Sequence, residues 1–262
     1  MDLREVPDQP FQRHPWEVAR WRFFFRVMQE GGALDHPGRV LDVGAGDAFF
    51  AKSLIDAAPV ELGVTCWDSA YDETNREILP ADAAGRLGFC AAQPEERFDL
   101  ILLLDILEHV DDDVEFLSTI VRRNARPGGV VLISVPARMA LFSRHDRYLR
   151  HFRRYAPRDL SAVIERAGLE ELRRGGLFHS LTPIRYAQKL KEAIAGRLLD
   201  NGDDPAAQER YKGLGDWRGG PRLTSLLTGV LEVDNWISLR LSRAGVGLPG
   251  LSWWALCTTR AS

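Results

Sequence analysis

The residues of this 262-residue chain best spaced to do chemistry begin at Val40-Leu41-Asp42-Val43-Gly44-Ala45-Gly46-Asp47-Ala48-Phe49-Phe50. Strand-type residues lead into an acid, then two glycines spaced G-x-G, then an apolar stretch of helical character. Glycine has no Cβ, so Gly44 and Gly46 permit a sharp strand-to-helix turn against which a ligand can lie. A dinucleotide fingerprint needs a small residue at its third glycine position, and Phe49 is too bulky there. Asp42 would repel a pyrophosphate and suits a ligand that carries positive charge.

Further polar groups fall where later strands should end. Asp68, in Thr65-Cys66-Trp67-Asp68-Ser69, can accept both hydroxyls of a ribose or serve as a helix N-cap. The run Phe98–Leu104 ends in Asp105, Glu108 and His109. His109 could be a general base, because imidazole titrates near neutrality, or a histidine that closes a turn. Residues 138–154 hold six arginines and two histidines against one aspartate. That density suits an acceptor bearing carboxylate or phosphate, with Arg144, Asp146, Arg153, Arg154 and Tyr155 as candidate contacts. The arginines could equally pair with Asp111-Asp112-Asp113. His145 beside Asp146 offers a base with an orienting group; His109 and His151 are further candidates, and Tyr148 is a candidate orienting group. Beyond scattered acids no ligand cluster stands out, so no metal is expected.

These groups need a scaffold. Residues 39–177 alternate strand and helix, which implies a parallel sheet covered on both faces. Strands are expected at Arg39–Val43, Val60–Cys66, Leu87–Cys90, Phe98–Leu104, Gly129–Val135, Leu169–Leu177 and Leu251–Thr259. Helices are expected at Asp47–Ala57, Asp112–Asn124 and Pro157–Ala167, the last with proline at its start and Gly168 past its end. Pro127-Gly128-Gly129 reads as a tight turn. Between the last two strands lie helical patterns at Pro183–Leu199 and Leu223–Leu241. Such an insertion is too long for a loop and reads as a helical cap. Its first helix is amphipathic and basic, with Ile184, Leu190, Ile194 and Leu198 near one face and Arg185, Lys189, Lys191 and Arg197 on others. It is expected to pack as a lid with its polar face in water, or to rest on an anionic membrane.

Val40–Phe50, Asp68, Phe98–Val110 and Arg126-Pro127-Gly128-Gly129 together resemble the class I S-adenosylmethionine-dependent methyltransferases, and more narrowly the small-molecule branch with the ubiquinone-type O-methyltransferases. The resemblance covers roughly residues 35–170. It implies a Rossmann-like, doubly wound α/β fold with seven strands in the order 3-2-1-4-5-7-6, the last strand antiparallel. It implies S-adenosylmethionine as cofactor and S-adenosylhomocysteine as product. The glycine turn (Asp42, Gly44, Ala45, Gly46) would lie against the methionine part, Asp68 would hold the ribose, and Leu104 and Asp105 would flank the methionine. The segment Phe89–Pro94 lacks the family's acid near the adenine, which leaves recognition at Ala91 or Ala92 to backbone groups or to Gln93. Trp16 and Arg20 resemble the aromatic, arginine-bearing N-terminal segment that closes over the cofactor; the same segment reads equally as an amphipathic helix packed on the domain.

The expected organisation is a closing N-terminal segment at 1–34, a methyltransferase core at 35–177 and 251–262, and a cap at 178–250. The net charge of −3 gives no global pull toward nucleic acid. Three scattered cysteines and an acidic N-terminus favour a reducing, cytoplasmic setting. The function these features support is methyl transfer to oxygen or carbon of a small or amphipathic, anionic acceptor. A nicotinamide-dependent oxidoreductase on the same topology and a non-catalytic S-adenosylmethionine-binding protein are the alternatives.

Overall fold

The structure, a computed structural model, describes Leu3 and residues 11–36, 38–199 and 217–260. Seven strands form one sheet: β1 (Gly38–Val43), β2 (Leu62–Trp67), β3 (Leu87–Cys90), β4 (Phe98–Leu104), β5 (Ala125–Pro136), β6 (Leu169–Leu177) and β7 (Ser252–Thr259). Their order is β3-β2-β1-β4-β5-β7-β6. β1 to β5 pair in parallel, and β7 runs antiparallel between β5 and β6. This is the strand order, with its antiparallel last strand, that the resemblance implies. β5 is longer than expected, because the Pro-Gly-Gly segment continues the strand across a register shift opposite Phe98 and Leu100.

Two apolar layers sandwich the sheet. Helices α1 (Pro15–Glu30), α2 (Phe49–Ala57) and the long C-terminal helix α7 (Gly220–Arg243) cover one face. There Phe23, Phe24, Leu231 and Leu239 pack with Val40, Leu100, Leu102, Leu132 and Trp254. Helices α3 (Asp113–Asn124) and α5 (Pro157–Arg166) cover the other, where Leu117, Ile120 and Leu160 meet Leu41, Ile101, Leu103 and Ile133. Each fully buried leucine or isoleucine contributes about 1.5–3 kcal/mol by leaving water. The N-terminal helix thus shares the core of the sheet.

The insertion between β6 and β7 holds α6 (Leu181–Leu199) and α7. α6 reverses the expected polarity. Ile184 and Leu190 are exposed, while Arg185 donates to Ser143 Oγ at 2.6 Å and Lys189 Nζ to the carbonyls of Ala140 (2.5 Å) and Phe142 (2.6 Å). The open carbonyls of the turn at Met139–Leu141 draw the cations inward. Ile194, Leu198 and Arg197 have side chains outside the described set. α7 is inverted too. Its inward face carries Asp234, Asn235 and Ser238, and its outward face Leu226, Val230, Val233 and Trp236. Asp234 accepts from Ser180 N and Oγ, the Asn235 Nδ2 donates to the Ala19 carbonyl, and Ser238 donates to that of Gly176. No described helix is long and apolar enough to cross a membrane.

Candidate active site

The carboxyl ends of β1, β2 and β4 meet at one edge of the sheet. Gly44 and Gly46 take left-handed backbone angles, φ +64° and +52°. A Cβ at Gly44 would stand 2.0 Å from Ile106 Cδ1, so the turn packs directly on the chain that leaves β4. The Gly44 N–H donates to the Trp67 carbonyl at 2.6 Å, which ties the turn to the end of β2. The Tyr71 hydroxyl donates to the Gly46 carbonyl at 2.8 Å.

Asp68 closes the arrangement. One carboxylate oxygen accepts from Gly46 N and the other from Ala70 N, both at 2.9 Å. Each oxygen keeps a lone pair, as a pair of ribose hydroxyls would require. Ala91 accepts from the Trp67 indole at 3.3 Å. It lines an open cavity of about 210 Å³ with Tyr71, Asp72, Glu73, Leu79, Phe89 and Cys90.

Asp42 is 3% exposed, and one of its oxygens has no hydrogen-bond partner. Burial, reinforced by Asp68 and Asp47, pushes its carboxyl up to about 7, against the pull of Arg20. A cationic ligand beside it would supply the missing counter-charge. The residues present therefore fit S-adenosylmethionine, which bears a sulfonium and an ammonium.

α1 reaches the same edge. Arg20 Nη2 pairs with Asp105 Oδ2 and donates to Ser134 Oγ, each at 2.8 Å. Ser134 Oγ in turn donates to Asp105 Oδ1 at 2.9 Å. The Arg20 guanidinium stands 5.1 Å from the centre of the Trp16 ring. Asp105, directly after Leu104, sits at φ +62°, a conformation that costs a non-glycine residue about 1 kcal/mol or more. Arg13 forms an ion pair with Asp47 across the glycine turn. Sequence reasoning missed Ser134 and Arg13. The signal for Ser134 was a lone polar residue in the apolar run Val130–Val135.

On the β5 side the groups are largely engaged with one another. Asp146, in the short helix α4 (Arg144–Tyr148), is fully buried. Its carboxylate accepts from Ser143 N (2.8 Å) and Oγ (2.9 Å) and from Arg154 Nε (2.7 Å), and bonds His151 Nδ1 (3.0 Å). Those partners hold its pKa far below the ordinary range despite its burial. Arg153 pairs with Asp113 at 3.0 Å, and the buried Tyr155 hydroxyl donates to Asp113 at 2.7 Å. Arg153 thus takes the partners that Asp111–Asp113 offered in the sequence. Arg144 is exposed. Tyr148 lies in α4, and burial lowers the His145 imidazole to about 4.

Glu108, His109 and His151 come together, with ligand atoms within 4.8 Å of one another. The turn after β4 and the segment after α4 lie far apart in sequence and adjacent in space. The His109 and His151 rings meet edge to face at 4.6 Å. Burial raises the Glu108 carboxyl well above its ordinary value.

Parallel strands ending in acids, a glycine turn and this strand order define the Rossmann-like S-adenosylmethionine-dependent methyltransferase class. Residues 18–173 match the family model described as "Methyltransferase domain", and the chain belongs to that family. It is 28% identical over 170 residues to a "Probable S-adenosylmethionine-dependent methyltransferase" of Mycolicibacterium smegmatis, covering 62% of this chain and 65% of that one. It is 26% identical over 160 residues to a ubiquinone biosynthesis O-methyltransferase of Rhizobium etli, covering 53% and 63%. The chain spans just under two thirds of the length of these curated relatives. Among solved structures the cyclase SpnF aligns over 98% of this chain and 86% of its own, with a TM-score of 0.55 and 17% identity. That likeness speaks for the fold alone, since one fold hosts different chemistries.

Proposed function

We propose that the chain transfers the methyl group of S-adenosylmethionine to oxygen or carbon of a small or amphipathic, anionic acceptor. The observation that carries the reading is the buried Asp42 carboxylate with an unpartnered oxygen, beside a glycine turn whose Asp68 keeps lone pairs for a ribose. In this reading Ala45 and Leu104 supply backbone contacts around the cofactor. The cavity at Ala91 takes the adenine against Phe89 and Tyr71. Arg20 reaches the methionine carboxylate from α1 by exchanging its Asp105 contact.

The bound sulfonium supplies an electrophilic methyl group. The protein's part is alignment and exclusion of water, an effect worth about 7–11 kcal/mol where geometry is right. A hydroxyl acceptor must also lose a proton. Deprotonation falls to the groups around Glu108, His109 and His151, since burial makes His145 a poor proton acceptor. The exposed Arg144 and its neighbours Arg147 and Arg150 favour an acceptor with carboxylate or phosphate. The outward apolar stripe of α7, followed by Arg240 and Arg243, supports peripheral contact with an anionic membrane through the cap. Three free cysteines suit the reducing cytoplasm.

Calorimetric titration with S-adenosylhomocysteine and with NADH tests the reading. Saturable binding of the first alone supports it. Binding of NADH alone would transfer the site to the oxidoreductase class. Tight uptake with no turnover on a broad panel of phenols, carboxylates and active-methylene compounds would make the protein a non-catalytic binder.

A further inference from the structure

The amino ends of β4, β5 and β6 and the carboxyl end of β7 meet at the edge of the sheet opposite the glycine turn. An open cavity of about 220 Å³ lies there, and Arg97, Arg122, Arg126 and Arg260 line it together with Gly168 and Thr259. Like charges so gathered repel one another, and a shared anion relieves that repulsion.

Few acids answer these arginines. Arg126 Nη1 pairs with Asp99 at 2.6 Å. Arg122 Nη2 stands 3.5 Å from Glu115, a loose contact between two exposed side chains. Arg97 donates only to backbone, to the carbonyls of Ala125 (2.5 Å) and Arg122 (3.0 Å). Neither Arg97 nor Arg260 has an acid partner among the described residues. Four guanidinium groups against two carboxylates leave two positive charges, and a guanidinium keeps its proton at any ordinary pH.

The backbone bonds of Arg97 have a second effect. Its partners lie in the last turn of α3 and at the first residue of β5, so the negative end of that helix is already capped and does not oppose an anion. The Thr259 hydroxyl donates to the Arg126 carbonyl at 2.9 Å, which ties the end of β7 to the start of β5. Three of the four arginines are thus placed by strand ends of one sheet.

From this arrangement we infer that the cavity binds the phosphoryl dianion of a small molecule. A phosphoryl group carries about −1.5 to −2 charges at neutral pH, which matches the excess in the cavity. Guanidinium forks bond its oxygens in pairs. A carboxylate would meet only about half of that charge. The chain's net charge of −3 works against a long polyanion such as nucleic acid. The cavity lies across the sheet from Asp42 and Asp68, so the site does not depend on the methyl-transfer reading.

The test is calorimetric titration of the full chain, in a phosphate-free buffer, with inorganic phosphate and with glycerol 3-phosphate. Saturable one-to-one binding of at least one is expected; the tighter of the two shows whether the ligand is a free ion or an ester. Arg260 has no partner to lose, so Arg260→Ala should fold as wild type does and weaken that binding about tenfold. Arg122→Ala combined with it should weaken it further, with S-adenosylhomocysteine affinity within about twofold of wild type in both variants. Wild-type phosphate affinity in the double variant would overturn the site, as would no saturation by about 10 mM of either compound. Amide chemical shifts of the wild-type protein locate the ligand without any variant. Shifts at Gly168, Thr259 and Arg260 are expected; shifts confined to Gly44 and Gly46 would place the phosphate in the cofactor site and overturn the inference. If S-adenosylhomocysteine binding fails while phosphate binds at Arg260, the methyl-transfer reading falls and this site stands.

Discussion

The two ends of the strand-tip edge are built on opposite terms. At β1 and β2 the backbone does the holding. Gly44 and Gly46 are fixed by Trp67, Asp68 and Tyr71, and the carboxylates of Asp42 and Asp68 keep capacity for something else. At β5 and α4 side chains hold one another. Asp146 spends its oxygens on Ser143, His151 and Arg154, and Asp113 takes Arg153 and Tyr155. The first end is unfinished without a ligand, and the second is a strut. Substitutions should therefore separate binding from stability according to which end they touch.

The largest effect should come from the strut. Asp146→Asn removes the charge from a fully buried carboxylate and leaves Arg154 without its acid partner. Breaking such a buried pair costs about 3–5 kcal/mol. Denaturant unfolding should show that loss, with S-adenosylhomocysteine affinity little changed in whatever fraction stays folded. A variant of wild-type stability would mean that the network is solvated and that the contrast between the two ends is false.

Asp68→Ala tests the other end. Two hydrogen bonds from ribose hydroxyls to a carboxylate are worth about 1.5–3 kcal/mol each, so cofactor affinity should fall about a hundredfold or more, with a smaller loss of stability because Gly46 N and Ala70 N can turn to water. If melting temperature collapses along with affinity, Asp68 is mainly the clamp of the glycine turn.

Asp42→Asn should move the two measurements in opposite directions. The folded-state pKa of Asp42, about 7, lies above the ordinary 3.8, so the unfolded chain ionises first. The ionised group opposes folding: the penalty is absent below about pH 4, grows up to about pH 7 and is constant above it. Ligand-free Asp42→Asn at pH 8 should accordingly be more stable than wild type by about 1 kcal/mol or more, and its stability should vary less between pH 4 and 7. Its affinity for the cationic cofactor should fall about tenfold. Loss of both would show that Asp42 has a structural partner.

The contrast also explains what the sequence disclosed. The unfinished end is encoded contiguously: a strand, an acid and a G-x-G turn within Val40–Phe50, then Asp68 at the next strand end. Parallel strands such as Phe98–Leu104 are continuous apolar runs because both faces are buried. The strut is assembled from side chains that meet only after folding, so the arginines of 138–154 read equally as substrate contacts or as partners of Asp113. Glu108 and His151 likewise carry no shared motif. α7 was ambiguous for another reason. Its inward face mixes Leu231 and Leu239 with Asp234, Asn235 and Ser238, and periodicity does not say which of its residues the core receives. Asp234, Asn235 and Ser238 go inward because Ser180, Ala19 and Gly176 offer them partners.

α6 yields the smallest effect and the finest discrimination between the two ends. Lys189 spans the carbonyls of Ala140 and Phe142 from a half-buried position, and water can replace an ammonium there. Lys189→Ala should shift the melting temperature by no more than about 2 °C and leave cofactor affinity unchanged. Its effect belongs in hydrogen exchange of residues 139–149, which should speed up because α6 no longer pins the turn that precedes Asp146. Unchanged exchange there would mean that the Asp146 network holds this segment unaided and that the strut ends at α4; faster exchange would extend it into the cap.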